Sequence, residues 1–65
     1  MNETIKEVEA LIQELNETRE TIGCMIEVCE YKITAIVLFK AYEEINAKIE
    51  QNKNTLNRLK SENKD

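Results

Sequence analysis

Residues 24–42 read Cys24-Met25-Ile26-Glu27-Val28-Cys29-Glu30-Tyr31-Lys32-Ile33-Thr34-Ala35-Ile36-Val37-Leu38-Phe39-Lys40-Ala41-Tyr42, and this stretch carries two apolar helical stripes at once. On either side of it the chain carries only one. The first stripe runs Ile5, Val8, Ile12, Leu15, Ile22, Ile26, Cys29, Ile33 and Ile36. The second runs Val28, Tyr31, Ala35, Leu38, Tyr42, Ile45 and Ile49, with Asn52 interrupting before Leu56 and Leu59. Both advance in alternating steps of three and four, the mark of a helix that buries one seam. A segment apolar on two faces needs two partners, so the middle of the chain is expected to lie between other helices.

The 65 residues include no proline and a single glycine, Gly23. Sheets and long loops need the turn residues that are missing here, and the fold class expected is all-α. A monomer this small buries little apolar surface, so oligomerisation is the default expectation.

The best helix-breaking signals gather in residues 16–23, where Asn16, Thr18 and Thr21 offer caps and Gly23 tolerates positive φ. The sequence therefore predicts a helical hairpin with coiled-coil-like packing in one domain, residues 1–65. A short helix A would cover about 3–16, opening near Asn2 or at a Thr4/Glu7 capping box. The turn would fall within 16–23, helix B would cover about 20–60, and the tail 61–65 would fray. Helix A would then cover the Ile26, Cys29, Ile33, Ile36 stripe. This leaves Tyr31, Ala35, Leu38, Tyr42, Ile45, Ile49, Leu56 and Leu59 as the interface of a homo-oligomer, most simply a dimer.

Two other arrangements fit the pattern. The stripes mirror each other about residue 32, since 5 answers 59, 8 answers 56, 15 answers 49 and 22 answers 42. That mirror suits a hairpin turning near Glu30–Thr34, although no glycine, asparagine or proline stands there. It equally suits an antiparallel dimer of unbroken helices, at a cost of up to about 1 kcal/mol for Gly23 in a helix interior.

Catalytic chemistry has little to work with. There is no histidine, no nucleophile beside a base at helical spacing, and no glycine-rich phosphate loop. Cys24 and Cys29 are too few for a disulfide framework, and on one helix they stand about 140° apart. A metal site would need ligands from a second subunit. Both thiols are read as small buried side chains, with no cofactor and no enzyme activity expected.

No secretory signal opens the chain, and the uncharged run Ile33–Phe39 is far shorter than the roughly 20 residues a bilayer requires. The location expected is cytoplasmic, in the host cytoplasm if the chain is viral. The cations Lys53, Arg58, Lys60 and Lys64 make a modest patch without interleaved aromatics, so a nucleic acid is not expected as a direct ligand.

Charge is distributed unevenly. Residues 1–20 account for the whole net charge of −4, and Glu3, Glu7, Glu14 and Glu17 form an acidic ridge opposite the apolar stripe. The ridge reads either as a solvated helix face or as a docking surface for a basic partner. Phe39 belongs to neither stripe, which makes it the aromatic best placed for an outside partner.

The function expected is that of a small helical inhibitor or regulator that binds a larger protein, of the sort phages and other mobile elements encode against host machinery or immunity. One alternative is a structural coiled-coil oligomerisation module. Another is a sponge holding a small ligand between subunits, for which the seam-interrupting Arg19 and Asn52 are the only polar hints.

Overall fold

The computed structural model describes residues 2–62, which form two helices, α1 (Asn2–Val28) and α2 (Lys32–Glu62), joined by Cys29-Glu30-Tyr31. They pack against each other as an antiparallel hairpin, a rod of 53 × 14 × 11 Å. The all-α hairpin expected from the sequence is present, and its turn is the late one.

The expected break within residues 16–23 does not occur, because α1 runs through it. Thr18 Oγ1 donates to Glu14 O at 2.9 Å and Thr21 Oγ1 to Glu17 O at 3.1 Å, so both hydroxyls bond back along the helix instead of capping a new one. Gly23 has an ordinary helical backbone, with no positive φ among the described residues. Tyr42 packs beside it, and a methyl added at Gly23 would meet Tyr42 Cε2 at 3.5 Å, an ordinary contact.

The competition between turns is decided by burial. In the late hairpin α1 covers the second stripe from Ala35 onward: Ala35, Leu38, Tyr42, Ile45, Leu56 and Leu59 are half-buried and Ile49 is 1 % exposed. A turn near residue 16 would leave Ile45, Ile49, Leu56 and Leu59 without a partner in the same chain. Even partial burial of an aliphatic side chain is worth about 1 kcal/mol, so four together outweigh the roughly 1 kcal/mol cost of Gly23 in a helix. Apart from Tyr31, the stripe assigned to a second subunit is thus paired within the chain. Conversely, Ile33 and Ile36, which helix A was expected to cover, are exposed.

The connection uses no turn-type residue. Cys29 N–H donates to Ile26 O at 3.3 Å to close α1, and Ala35 N–H donates to Tyr31 O at 2.9 Å to open α2. The Cys29 thiol donates across the connection to Tyr31 O at 3.4 Å. Tyr31 offers no side-chain acceptor close enough to cap α2, so this turn is a weak local signal held by the seam on either side of it.

Register is held by a polar clasp midway along the seam. Arg19 Nη1 donates to Asn46 Oδ1 and Nη2 to Asn16 Oδ1, each at 2.8 Å and partly buried. Asn52, the other interruption, donates from Nδ2 to Lys48 O at 2.7 Å within its own helix. Of the tail expected to fray, Ser61 and Glu62 are helical and 63–65 lie outside the described residues.

Candidate functional site

Apolar surface left uncovered is concentrated at the turn end. Among the described residues, the exposed large apolar side chains are Leu11 and then Met25, Val28, Tyr31, Ile33, Ile36, Val37 and Phe39. Val28, Ile33 and Tyr31 are 78, 77 and 75 % exposed, values that no packing role within the hairpin explains. The reason lies in the doubly apolar stretch: one face of α2 meets α1, and the remaining apolar positions, spread around the first two turns of the helix, meet nothing.

One flank of this end is hollowed. Gly23, Cys24, Ile26, Phe39 and Tyr42 line an open groove of about 560 Å³ rimmed on the α1 side by Glu20 and Glu27. Phe39, singled out for an outside partner, is 53 % exposed and stands on the groove's α2 wall. The expectation for Cys24 needs correction: it is exposed on this groove, while Cys29 is half-buried beside the connection. Gly23 was legible only as a breaker. Its place in the groove lining required knowing that Tyr42 lies across the seam from it.

The charges at this end run against the helix dipoles. Glu27 sits in the last turn of α1, which holds no basic residue, and Lys32 opens α2, whose first turn holds no acidic one. Each sign is opposite to the one a helix terminus favours. From residue 23 to 30 the α1 side carries Glu27 and Glu30 and no cation. From 31 to 42 the α2 side carries Lys32 and Lys40 and no acid. Within these last turns the acids stand on α1 and the connection and the lysines on α2, with Glu43 and Glu44 following directly after Tyr42.

The acidic ridge is placed as expected in one respect, since Glu3, Glu7, Glu14 and Glu17 are all exposed. The ridge lies toward the opposite end of the rod, so the two candidate surfaces, acidic and apolar, are separate. The residues expected at an oligomer interface divide likewise: Tyr31 is at the exposed turn, and the other seven line the intramolecular seam.

Among the described residues no group of three or more metal-ligating side chains converges, and no helix is long and apolar enough to cross a membrane. Arg19 and Asn52, the polar hints of a ligand site, make their hydrogen bonds to protein atoms, and neither lines the groove. No protein-family model, curated protein or solved structure matches the chain.

Proposed function

We propose that this chain is a non-enzymatic protein-binding module whose contact surface is the apolar turn end, and that it serves as an inhibitor or regulator of a larger protein. The observation that carries this reading is the concentration of exposed apolar side chains between Met25 and Phe39 on a chain whose helix-facing stripes are otherwise covered. Exposed apolar surface concentrated in this way marks interaction sites, and Tyr31 and Phe39 are the sort of aromatic anchors that dominate binding energy. A basic target would gain long-range steering from the ridge of Glu3, Glu7, Glu14 and Glu17 while the turn end makes the close contacts. A phage or mobile-element origin, acting on host machinery in the host cytoplasm, remains the setting this reading favours.

Affinity capture with the wild-type chain, with Ile33→Asp/Val37→Asp, and with the four ridge glutamates reversed to Lys tests the assignment. A stoichiometric partner should be lost with the apolar pair and retained, with a slower and less salt-sensitive association, on reversal of the ridge. Retention of the partner by the Ile33/Val37 variant would remove the turn end from the binding surface.

A second reading, a structural oligomerisation module, is favoured by one feature: Ile49 is the only buried residue among those described, so a lone hairpin has almost no dry core.

A further inference from the structure

Two carboxylates, Glu20 and Glu27, and two aromatic rings, Phe39 and Tyr42, line the groove beside the seam, and no lysine or arginine does. Glu43 follows Phe39 by four residues and so stands on the same side of α2. Among the described residues none of these three acids makes an ion pair; Lys60 and Glu9 pair toward the other end of the rod. Arg19, on the turn before Gly23, is held by Asn16 and Asn46. The groove therefore presents negative charge from both helices around an aromatic lining, and nothing in the hairpin neutralises it. A cation on an apolar stem suits such a surface, because the ring face and the carboxylates attract the charge while the stem covers the ring.

The spacing of the acids selects the kind of molecule that carries the cation. Glu20 and Glu27 are seven residues apart, two helical turns or about 10.5 Å along α1. Between them stand the uncharged Gly23 and Cys24, the latter exposed on the groove. A helix laid along this edge repeats with the same two-turn period, so basic residues seven apart reach both acids while an apolar residue midway meets the uncharged stretch. A single small cation answers only one of the two carboxylates. Glu27 adds a second reason: it stands in the last turn of α1, where the helix dipole disfavours an acid, and a cation docked beside it offsets that cost.

We propose that the groove binds a basic amphipathic helix of the partner protein, with Lys or Arg side chains on Glu20 and Glu27 and an apolar side chain between them against Phe39. The proposal rests on the reading of the turn end as a protein-binding surface and supplies the chemistry of the segment that contacts it. Val28, Tyr31, Ile33 and Val37 at the tip stay available to the rest of that partner.

The probe is a fluorescein-labelled helical peptide with Lys at two positions seven apart and Leu midway, compared with the same peptide carrying Gln at both positions. Fluorescence anisotropy at low ionic strength should show the wild type binding the Lys peptide about tenfold more tightly, from two exposed ion pairs and a cation over an aromatic ring together. Glu20→Gln/Glu27→Gln should remove that preference. Glu7→Gln/Glu14→Gln, which loses the same charge elsewhere on α1, should keep it. Cys24→Lys sets a tethered cation four residues after Glu20 and three before Glu27, a spacing that supports the helix, and should fill the groove in place of the peptide. Circular dichroism should show helicity kept in this variant, so lost binding cannot be put down to unfolding.

Equal binding of the two peptides by the wild type, a preference that survives Glu20→Gln/Glu27→Gln, or a Cys24→Lys chain that binds like the wild type would each overturn the proposal. Acetyl-arginine amide binding as tightly as the Lys peptide would overturn it too, by making the groove a site for a small cation. If the peptides bind equally and Ile33→Asp/Val37→Asp still loses a captured partner, the functional reading stands and only the basic helix is wrong. If the preference behaves as expected and that variant keeps its partner, the reading of the tip fails and the groove assignment stands.

Discussion

At the end of the rod where the termini meet, Glu3 stands in the first turn of α1 and Lys60 in the last turn of α2, each with the sign a helix dipole favours. Lys60 Nζ lies 3.5 Å from Glu9 Oε2, joining the helices across that end. At the turn end both signs are reversed, the capping position is a tyrosine, and the apolar side chains point away from the seam. One end follows the rules that stabilise an isolated hairpin. The other departs from three of them within about fifteen residues. Departures of this kind collect where a surface is used for contact, because surface kept for a partner cannot also be optimised for the monomer.

The sharpest way to break the comparison is to delete apolar volume at each end in turn. Ile49→Ala removes the one side chain buried among the described residues and should cost about 2–4 kcal/mol, enough to unfold much of so small a hairpin at room temperature. Ile33→Ala, at a position 77 % exposed, should change monomer stability by less than about 0.5 kcal/mol. Thermal melts followed by circular dichroism under monomeric conditions measure both. Similar losses for the two would mean that the turn end is core after all.

Next in size is the clasp between the two regions. Arg19→Ala leaves Asn16 and Asn46 without their partner in a partly buried seam and should cost about 1–2 kcal/mol. Arg19→Leu should recover much of that loss while loosening register, visible as broadened amide resonances along both helices. If Arg19→Ala melts like the wild type, the clasp is a surface contact and does not set register.

Gly23→Ala sharpens the account of the groove. The added methyl would meet Tyr42 Cε2 at an ordinary 3.5 Å, so the gain in helix propensity, about 0.5–1 kcal/mol, should appear as a raised melting temperature. A destabilised variant would show that the tyrosine ring has no room to spare. Smallest of all is Lys60→Ala: the pair with Glu9 is half-exposed, and its loss should cost no more than a few tenths of a kcal/mol and vanish in high salt.

What the amino-acid order determined by itself was the material: helix throughout, two stripes, and their mirror about residue 32. Those follow from periodicity and from the near absence of glycine and proline, both properties of the chain taken a few residues at a time. The exposed ridge of Glu3, Glu7, Glu14 and Glu17 was equally legible, since charges opposite an apolar stripe face water wherever the helix packs. The place of the turn was not. Asn16, Thr18, Thr21 and Gly23 are local breaking signals worth about 1 kcal/mol apiece. They lost to the cooperative pairing of two full-length seams, a sum over many side chains that no local window contains. Only that pairing decided that Tyr42 packs beside Gly23, that the second stripe is covered within the chain, and that the groove and the uncovered apolar end lie together at the turn.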